Sequence, residues 1–178
     1  MIDMTVEELI ARFGLQPLPL EGGFYVETWR GEELDGRDGR PAGTSILVLL
    51  AAARDQFSAL HRLPVTEVWH YHLGDPIEML LLRPDGTSSV VWLGPDLRSG
   101  HVLQLVVPAR TWMGARVGHG GIWSLFGATM APGFIPADYE GGDGDALAAV
   151  YPERAELIRA LWRPGTPRSN APEHGPGR

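Results

Sequence analysis

The sequence has no cysteine, which removes disulfides, thiolate metal sites and thiol nucleophiles together. Basic side chains are in short supply, 15 against 22 acidic ones, for a net charge of -7. That balance argues against a nucleic-acid partner, because phosphate binding rests on clustered Lys and Arg. No apolar run approaches the roughly 20 residues needed to span a bilayer, so no membrane partner is expected. The opening M-I-D-M-T-V-E-E-L is acidic and lacks the basic and apolar regions of a signal peptide. A cytoplasmic location is the expectation. No G-x-S-x-G elbow is present, which with the missing thiol removes most covalent hydrolase mechanisms. Glu21-Gly22-Gly23 is not a phosphate loop, since it lacks the Gly-Lys-Ser/Thr ending and a following helix. It reads either as a close chain approach that sets Glu21 and Tyr25 at a pocket edge, or as a bend that glycine permits.

What remains is the composition of one globular domain: 178 residues, 44% hydrophobic and 21% charged. Thr5 and Glu8 make a capping-box pattern ahead of an apolar stripe at Val6, Leu9, Ile10 and Phe13, with Gly14 to end the helix. A proline-punctuated linker follows, then a succession of short strand candidates. They are Phe24 to Arg30, Thr44 to Leu50, Phe57 to Arg62, Glu67 to Leu73 and Ile77 to Leu82. Ser88 to Leu93, Leu103 to Val107, Thr111 to Arg116 and Trp123 to Ala131 complete the set. Pro84-Asp85-Gly86 reads as a hairpin and Gly31 to Gly43 as an exposed polar loop. Many short strands between Gly and Pro turns predict an all-β sandwich or barrel. A second helix is expected from Pro152 to Pro164, carrying Leu157, Ile158, Leu161 and Trp162 on its apolar stripe. The domain thus runs over 1–164, and the Pro, Gly, Ser and Asn of 165–178 predict a disordered tail.

Chemistry concentrates in S-A-L-H-R-L-P-V-T-E-V-W-H-Y-H-L-G-D-P, from Ser58 to Pro76. In a strand from Glu67 to Leu73, alternation puts Glu67, Trp69 and Tyr71 on one face and Val68, His70 and His72 on the other. A carboxylate flanked by two aromatics suits a pocket wall. His70 and His72 then cannot easily join a site with Glu67 and read as structural contacts of a sheet or dimer face. His61 and Glu67 together offer an imidazole steered by a carboxylate, a general acid–base pair. Gln104 and Trp112 offer an amide for hydroxyls and a ring for stacking, both suited to a sugar-like ligand.

The order E-G-G-F-Y-V-E-T-W-R, T-S-I-L-V-L-L, H-R-L-P-V-T-E-V-W-H-Y-H-L-G-D-P, Q-L-V-V-P-A-R-T-W-M-G-A and A-P-G-F-I-P-A-D-Y-E resembles the cupin_5 family, formerly domain of unknown function 985. The resemblance implies a double-stranded β-helix, the cupin jelly roll, with short N-terminal and C-terminal helices, paired as a homodimer. It also implies kinship in fold with dTDP-sugar 3,5-epimerases. In those enzymes a His–carboxylate pair removes a proton next to a ketone and a tyrosine returns one. On that pattern His61, Glu67 and Tyr71 are the catalytic candidates, with Tyr25 as an alternative donor. Glu21, Tyr25, Trp69, Gln104, Arg110 and Trp112 are the ligand-binding candidates.

Two departures stand out. Pro19 replaces the family's histidine ahead of Glu21-Gly22-Gly23, and Arg110 replaces a glycine in its V-P-x-G turn, where it can either reshape the pocket rim or reach a ligand anion. The general cupin metal pattern, H-x-H-x(3,4)-E-x(6)-G and P-x-G-x(2)-H, keeps His61, Glu67 and Gly74 but has Leu63 and Met113 at two ligand positions. The expectation is therefore no metal and no cofactor, with a divalent ion at His61 and Glu67 the lesser alternative. The function expected is a metal-independent isomerase or epimerase of a small polar, possibly sugar-like compound. A metal-dependent oxygenase or decarboxylase and a non-catalytic ligand-binding protein are the alternatives.

Overall fold

The apolar alternation resolves into strands in the computed structural model, which describes residues 4–36, 39–54 and 56–164. In chain order they are β1 (Gln16–Pro17), β2 (Phe24–Arg30), β3 (Thr44–Ala51), β4 (Ser58–Arg62), β5 (Glu67–Gly74) and β6 (Ile77–Leu82). Then come β7 (Ser88–Leu93), β8 (Gln104–Val107), β9 (Trp112–Val117), β10 (Trp123–Met130) and β11 (Glu140–Gly141). They build two antiparallel sheets, a six-stranded one ordered β1-β2-β3-β10-β5-β8 and a five-stranded one ordered β11-β4-β9-β6-β7. This is the jelly roll of a cupin.

Strand alternation sorts the side chains into three apolar layers. Val48 and Leu50 of β3, Trp69 of β5 and Phe126 and Met130 of β10 meet Met79 and Leu81 of β6 and Met113 of β9 between the sheets. The odd residues of β3, Leu47, Leu49 and Ala51, face outward, and α1 (Val6–Phe13) covers them with Val6 and Leu9. A strand apolar on both faces is thus one with a layer on each side. The helix begins as its capping box predicts: the Glu8 N–H donates to Thr5 Oγ1 at 3.2 Å and the Thr5 N–H to Glu8 Oε2 at 2.7 Å. Gly14 ends it in the left-handed conformation, φ 64°.

On the other sheet, Leu60, Leu80 and Leu82 are capped by Leu147 of α2 (Gly144–Val150), Ile158 of α3 (Ala155–Ala160) and Leu161 just beyond it. The single C-terminal helix expected from Pro152 differs in two ways. Pro152–Arg154 forms a 3-10 turn before α3 begins at Ala155, and α2 is an additional helix, capped by Asp143 accepting from the Ala146 N–H at 3.1 Å. Segment 165–178, expected as a disordered tail, lies outside the described residues. Among the described residues, no helix is long and apolar enough to cross a membrane.

Candidate functional site

Between the two sheets lies a cavity of about 300 Å³ whose polar lining includes Glu21, Tyr25, His61, Glu67 and Tyr139. Ile46, Leu63, Ala128, Met130 and Phe134 give it apolar walls. Each polar group arrives from a different element, so the cavity is a product of tertiary folding.

His61 comes from β4, paired opposite Met113 of β9, and is only 1% exposed. Its Nδ1 lies 2.7 Å from the Ala59 carbonyl oxygen, which can only accept, so Nδ1 carries the proton. In the neutral ring Nε2 is then the acceptor, and it lies 3.8 Å from Glu21 Oε1. Glu67 opens β5, opposite Met130 of β10 and Val107 of β8, and is 7% exposed. Burial pushes its carboxyl from 4.5 up to about 7, and the nearby charge of Glu21 adds to this. His61 and the Trp69 indole N–H, which donates to Glu67 Oε2 at 2.7 Å, pull the other way.

Glu21 is delivered by the loop before β2. Its backbone oxygen accepts from the Ala59 N–H at 2.8 Å, and its Oε1 accepts from the Ser58 hydroxyl at 2.7 Å. This contact with β4 is close enough that a Cβ on Gly22, φ 99°, would sit 2.5 Å from the Phe57 oxygen. Glycine is required there by both conformation and space.

Tyr139 was missed by strand patterning. It follows the 3-10 turn Pro136–Asp138, and its ring stacks on His61 with centroids 5.5 Å apart. Its hydroxyl is buried without a hydrogen-bond partner among the described residues, and burial raises its pKa well above that of a free tyrosine. Bidentate arginines hold both of its neighbours: Arg40 binds Asp138 at 2.6 and 2.7 Å, and Arg62 binds Glu140 at 2.7 Å twice.

The remaining nominated residues lie away from this lining. Trp69 sits behind Glu67, stacked on Phe126 at 4.3 Å. The Tyr71 hydroxyl donates to the Gly74 oxygen at 2.6 Å, where a bulge in the β5–β10 pairing ends the simple alternation. Gln104 pairs with His70 in register and its amide contacts His70 Nδ1 at 3.0 Å on the outward face. Trp112 packs on the α2–α3 layer beneath the Arg62 guanidinium, 4.5 Å from the ring centroid. Arg110, at φ 65°, lines a neighbouring cavity of about 450 Å³ that shares Leu63 and Tyr139 with the first.

The chain matches the family model described as "Cupin superfamily (DUF985)", Cupin_5, over residues 7–141. It belongs to the Cupin_5 family. A crystal structure of a Shewanella oneidensis protein is 31% identical, with a TM-score of 0.81 over 90% of this chain and 99% of that one. A hypothetical protein from Leishmania major is 30% identical, with a TM-score of 0.79 over 89% of this chain and 99% of that one. A cupin 2 domain-containing protein from Halorhodospira halophila shares the fold at 15% identity, with a TM-score of 0.52 over 80% of this chain and 84% of that one. No curated protein matches the chain.

The general cupin metal pattern points to His61 and Glu67 in this cavity, and the donors present here do not fit an ion. Leu63 and Met113, at two of the four ligand positions of the cupin pattern, are buried among apolar neighbours. Among the described residues, no three His, Asp or Glu side chains are grouped to hold an ion. With Leu63 and Met113 in place of two imidazoles, His61 is left with two carboxyls, of which Glu21 already accepts from the Ser58 hydroxyl and Glu67 from the Trp69 indole, a poor set for a divalent cation.

Proposed function

We propose that this Cupin_5 protein binds a small polar, sugar-like carbonyl compound in the 300 Å³ cavity and isomerises or epimerises it without a metal. One observation carries the proposal: a buried imidazole with Nδ1 committed to a carbonyl faces the same cavity as a carboxyl that titrates near neutrality. His61 Nε2 takes a proton from the carbon next to the carbonyl, and the C–H electron pair moves into the enolate. Glu21, 3.8 Å away, stabilises the imidazolium that forms. The Tyr139 hydroxyl donates to the developing oxyanion, and neutral Glu67 returns a proton to carbon. Tyr25, also in the lining, remains a second donor.

The test is solvent-deuterium incorporation into a panel of small ketoses and hydroxyketones. Wild-type protein should label at least one of them, and His61→Asn should cut the rate at least ~100-fold while the fold is kept. Tight binding of a panel member without exchange would instead make the protein a non-catalytic binder.

The same proposal includes a two-fold homodimer through β2. Its outer edge beyond Tyr25 has no strand partner among the described residues, and Trp29 is 52% exposed there. Light scattering should give twice the monomer mass at micromolar concentration. A cytoplasmic setting suits a chain without cysteine.

A further inference from the structure

The charge of the cavity lining bears on which ligand enters it. Two carboxyl groups, Glu21 and Glu67, share the cavity closely enough for one to raise the pKa of the other. Among the described residues, the only guanidinium in the lining is that of Arg30, and Glu27 holds it by two hydrogen bonds of 2.9 and 2.7 Å. That pair cancels itself. His61, neutral or protonated, at most offsets Glu21, so the lining never becomes positive at neutral pH. Tyr139 adds a buried hydroxyl, 4% exposed by residue and unpartnered among the described residues, which has no group of this lining to pair with.

Among the described residues of this lining, an anionic ligand would meet two carboxyl groups and no unpaired guanidinium, since Arg110 lies on the neighbouring cavity. A neutral polyol would leave the mutual repulsion of the carboxylates in place. A protonated amine is attracted by both carboxylates, offsets one of the two charges, and brings three N–H donors for carboxylate and phenol oxygens. We infer that the cavity selects a ligand bearing a protonated primary amine, of the amino-sugar or amino-alcohol class, with the ammonium seated between Glu21 and Glu67. This rests on the proposed function in using the same cavity, with Tyr25, the second donor of the lining, returning the proton in place of Glu67, which the ammonium holds ionised. It departs from the nucleotide-linked sugars of the epimerases that the sequence resembles in fold.

Three probes of matched size and different charge test it: ethanolamine, ethylene glycol and glycolate, each added to the full chain. The readouts are the melting temperature and the 13C-detected titration of the Glu67 carboxyl, against sodium chloride at equal ionic strength. Ethanolamine should raise the melting temperature most and move the Glu67 midpoint downward, since an adjacent cation favours the ionised form. Glu21→Gln should weaken the ethanolamine effect at least about tenfold in apparent affinity. The inference is overturned if glycolate or ethylene glycol stabilises as well as ethanolamine, or if ethanolamine matches the salt control. Amine preference without deuterium exchange would leave a cation-binding cavity with no chemistry, whereas exchange without amine preference would leave the acid–base proposal and remove this one.

Discussion

The imidazole of His61 lies nearly parallel to the ring of Tyr139, with centroids 5.5 Å apart and planes 14° from parallel. The contact joins a strand interior to a loop far along the chain, and it places a phenol beside the candidate base. Tyr139 can therefore be removed chemically without removing packing. Tyr139→Phe keeps the ring and deletes a hydroxyl that has no partner among the described residues. A buried unpaired hydroxyl costs about 1–3 kcal/mol, so stability should stay level or rise. Deuterium exchange should nevertheless fall ~100-fold. A variant that melts earlier yet exchanges at the wild-type rate would reverse both roles.

Glu67 should make stability depend on pH in a direction opposite to that of most carboxylates. Its folded pKa, about 7, lies above its ordinary 4.5. Between those values the native state holds a proton that the unfolded chain has lost, so stability falls as pH rises through that window. The loss is on the order of 3 kcal/mol, at about 1.4 kcal/mol per pH unit. Glu67→Gln is neutral throughout and keeps an acceptor for the Trp69 indole. Its melting temperature should match wild type near pH 5 and exceed it at pH 8. A gap that stays constant across that range would mean that Glu67 is ionised in the folded protein.

Trp69 tunes the same carboxyl. Its indole N–H stabilises the ionised form of Glu67 from 2.7 Å, so Trp69→Phe should move the Glu67 midpoint above 7. The Phe ring keeps an aromatic contact with Phe126, now stacked at 4.3 Å. An unchanged midpoint in the same 13C titration would show that burial alone sets the value.

The sheets were legible because their strands carry the pattern locally. β6 and β7 match their expected bounds, and Glu67 and Trp69 face inward as alternation requires. Alternation holds through Tyr71, which packs on the inner cluster with Trp69, and the bulge at Leu125/Phe126 ends it just beyond, turning Leu73 to the α1 side. It holds in β8 as well, where Leu105 and Val107 face in and Gln104 pairs with His70 on the outer face. Neither the bulge nor the face that Q-L-V-V presents can be read from one strand alone. Tyr139 has no periodic context in P-A-D-Y-E, and only the pairing of β11 with β4 brings it to His61. Helix α2 opens in a run of glycines that reads as loop, although Asp143 is a legitimate cap.

Two arginines grip the residues on either side of Tyr139, and their burial separates them. The Arg40 and Asp138 side chains are 16% and 5% exposed, whereas Arg62 and Glu140 are 37% and 40% exposed. Arg40 also donates to the Gly133 oxygen at 3.0 Å, which ties the loop before β3 to the segment leading to Tyr139. Removing one partner of a buried pair leaves an uncompensated charge and costs about 3–5 kcal/mol, while exposed pairs contribute roughly 0–1 kcal/mol. Arg40→Ala should therefore destabilise the protein by about 3 kcal/mol, and Arg62→Ala by under about 1 kcal/mol. Both should disturb the His61–Tyr139 stack, so exchange should slow in each at a temperature where both remain folded. Urea denaturation with an exchange assay on the same samples measures the two effects separately. Equal stability losses would mean that solvent reaches Asp138 as freely as Glu140, and unchanged exchange in both would mean that Tyr139 is held by its ring contacts alone.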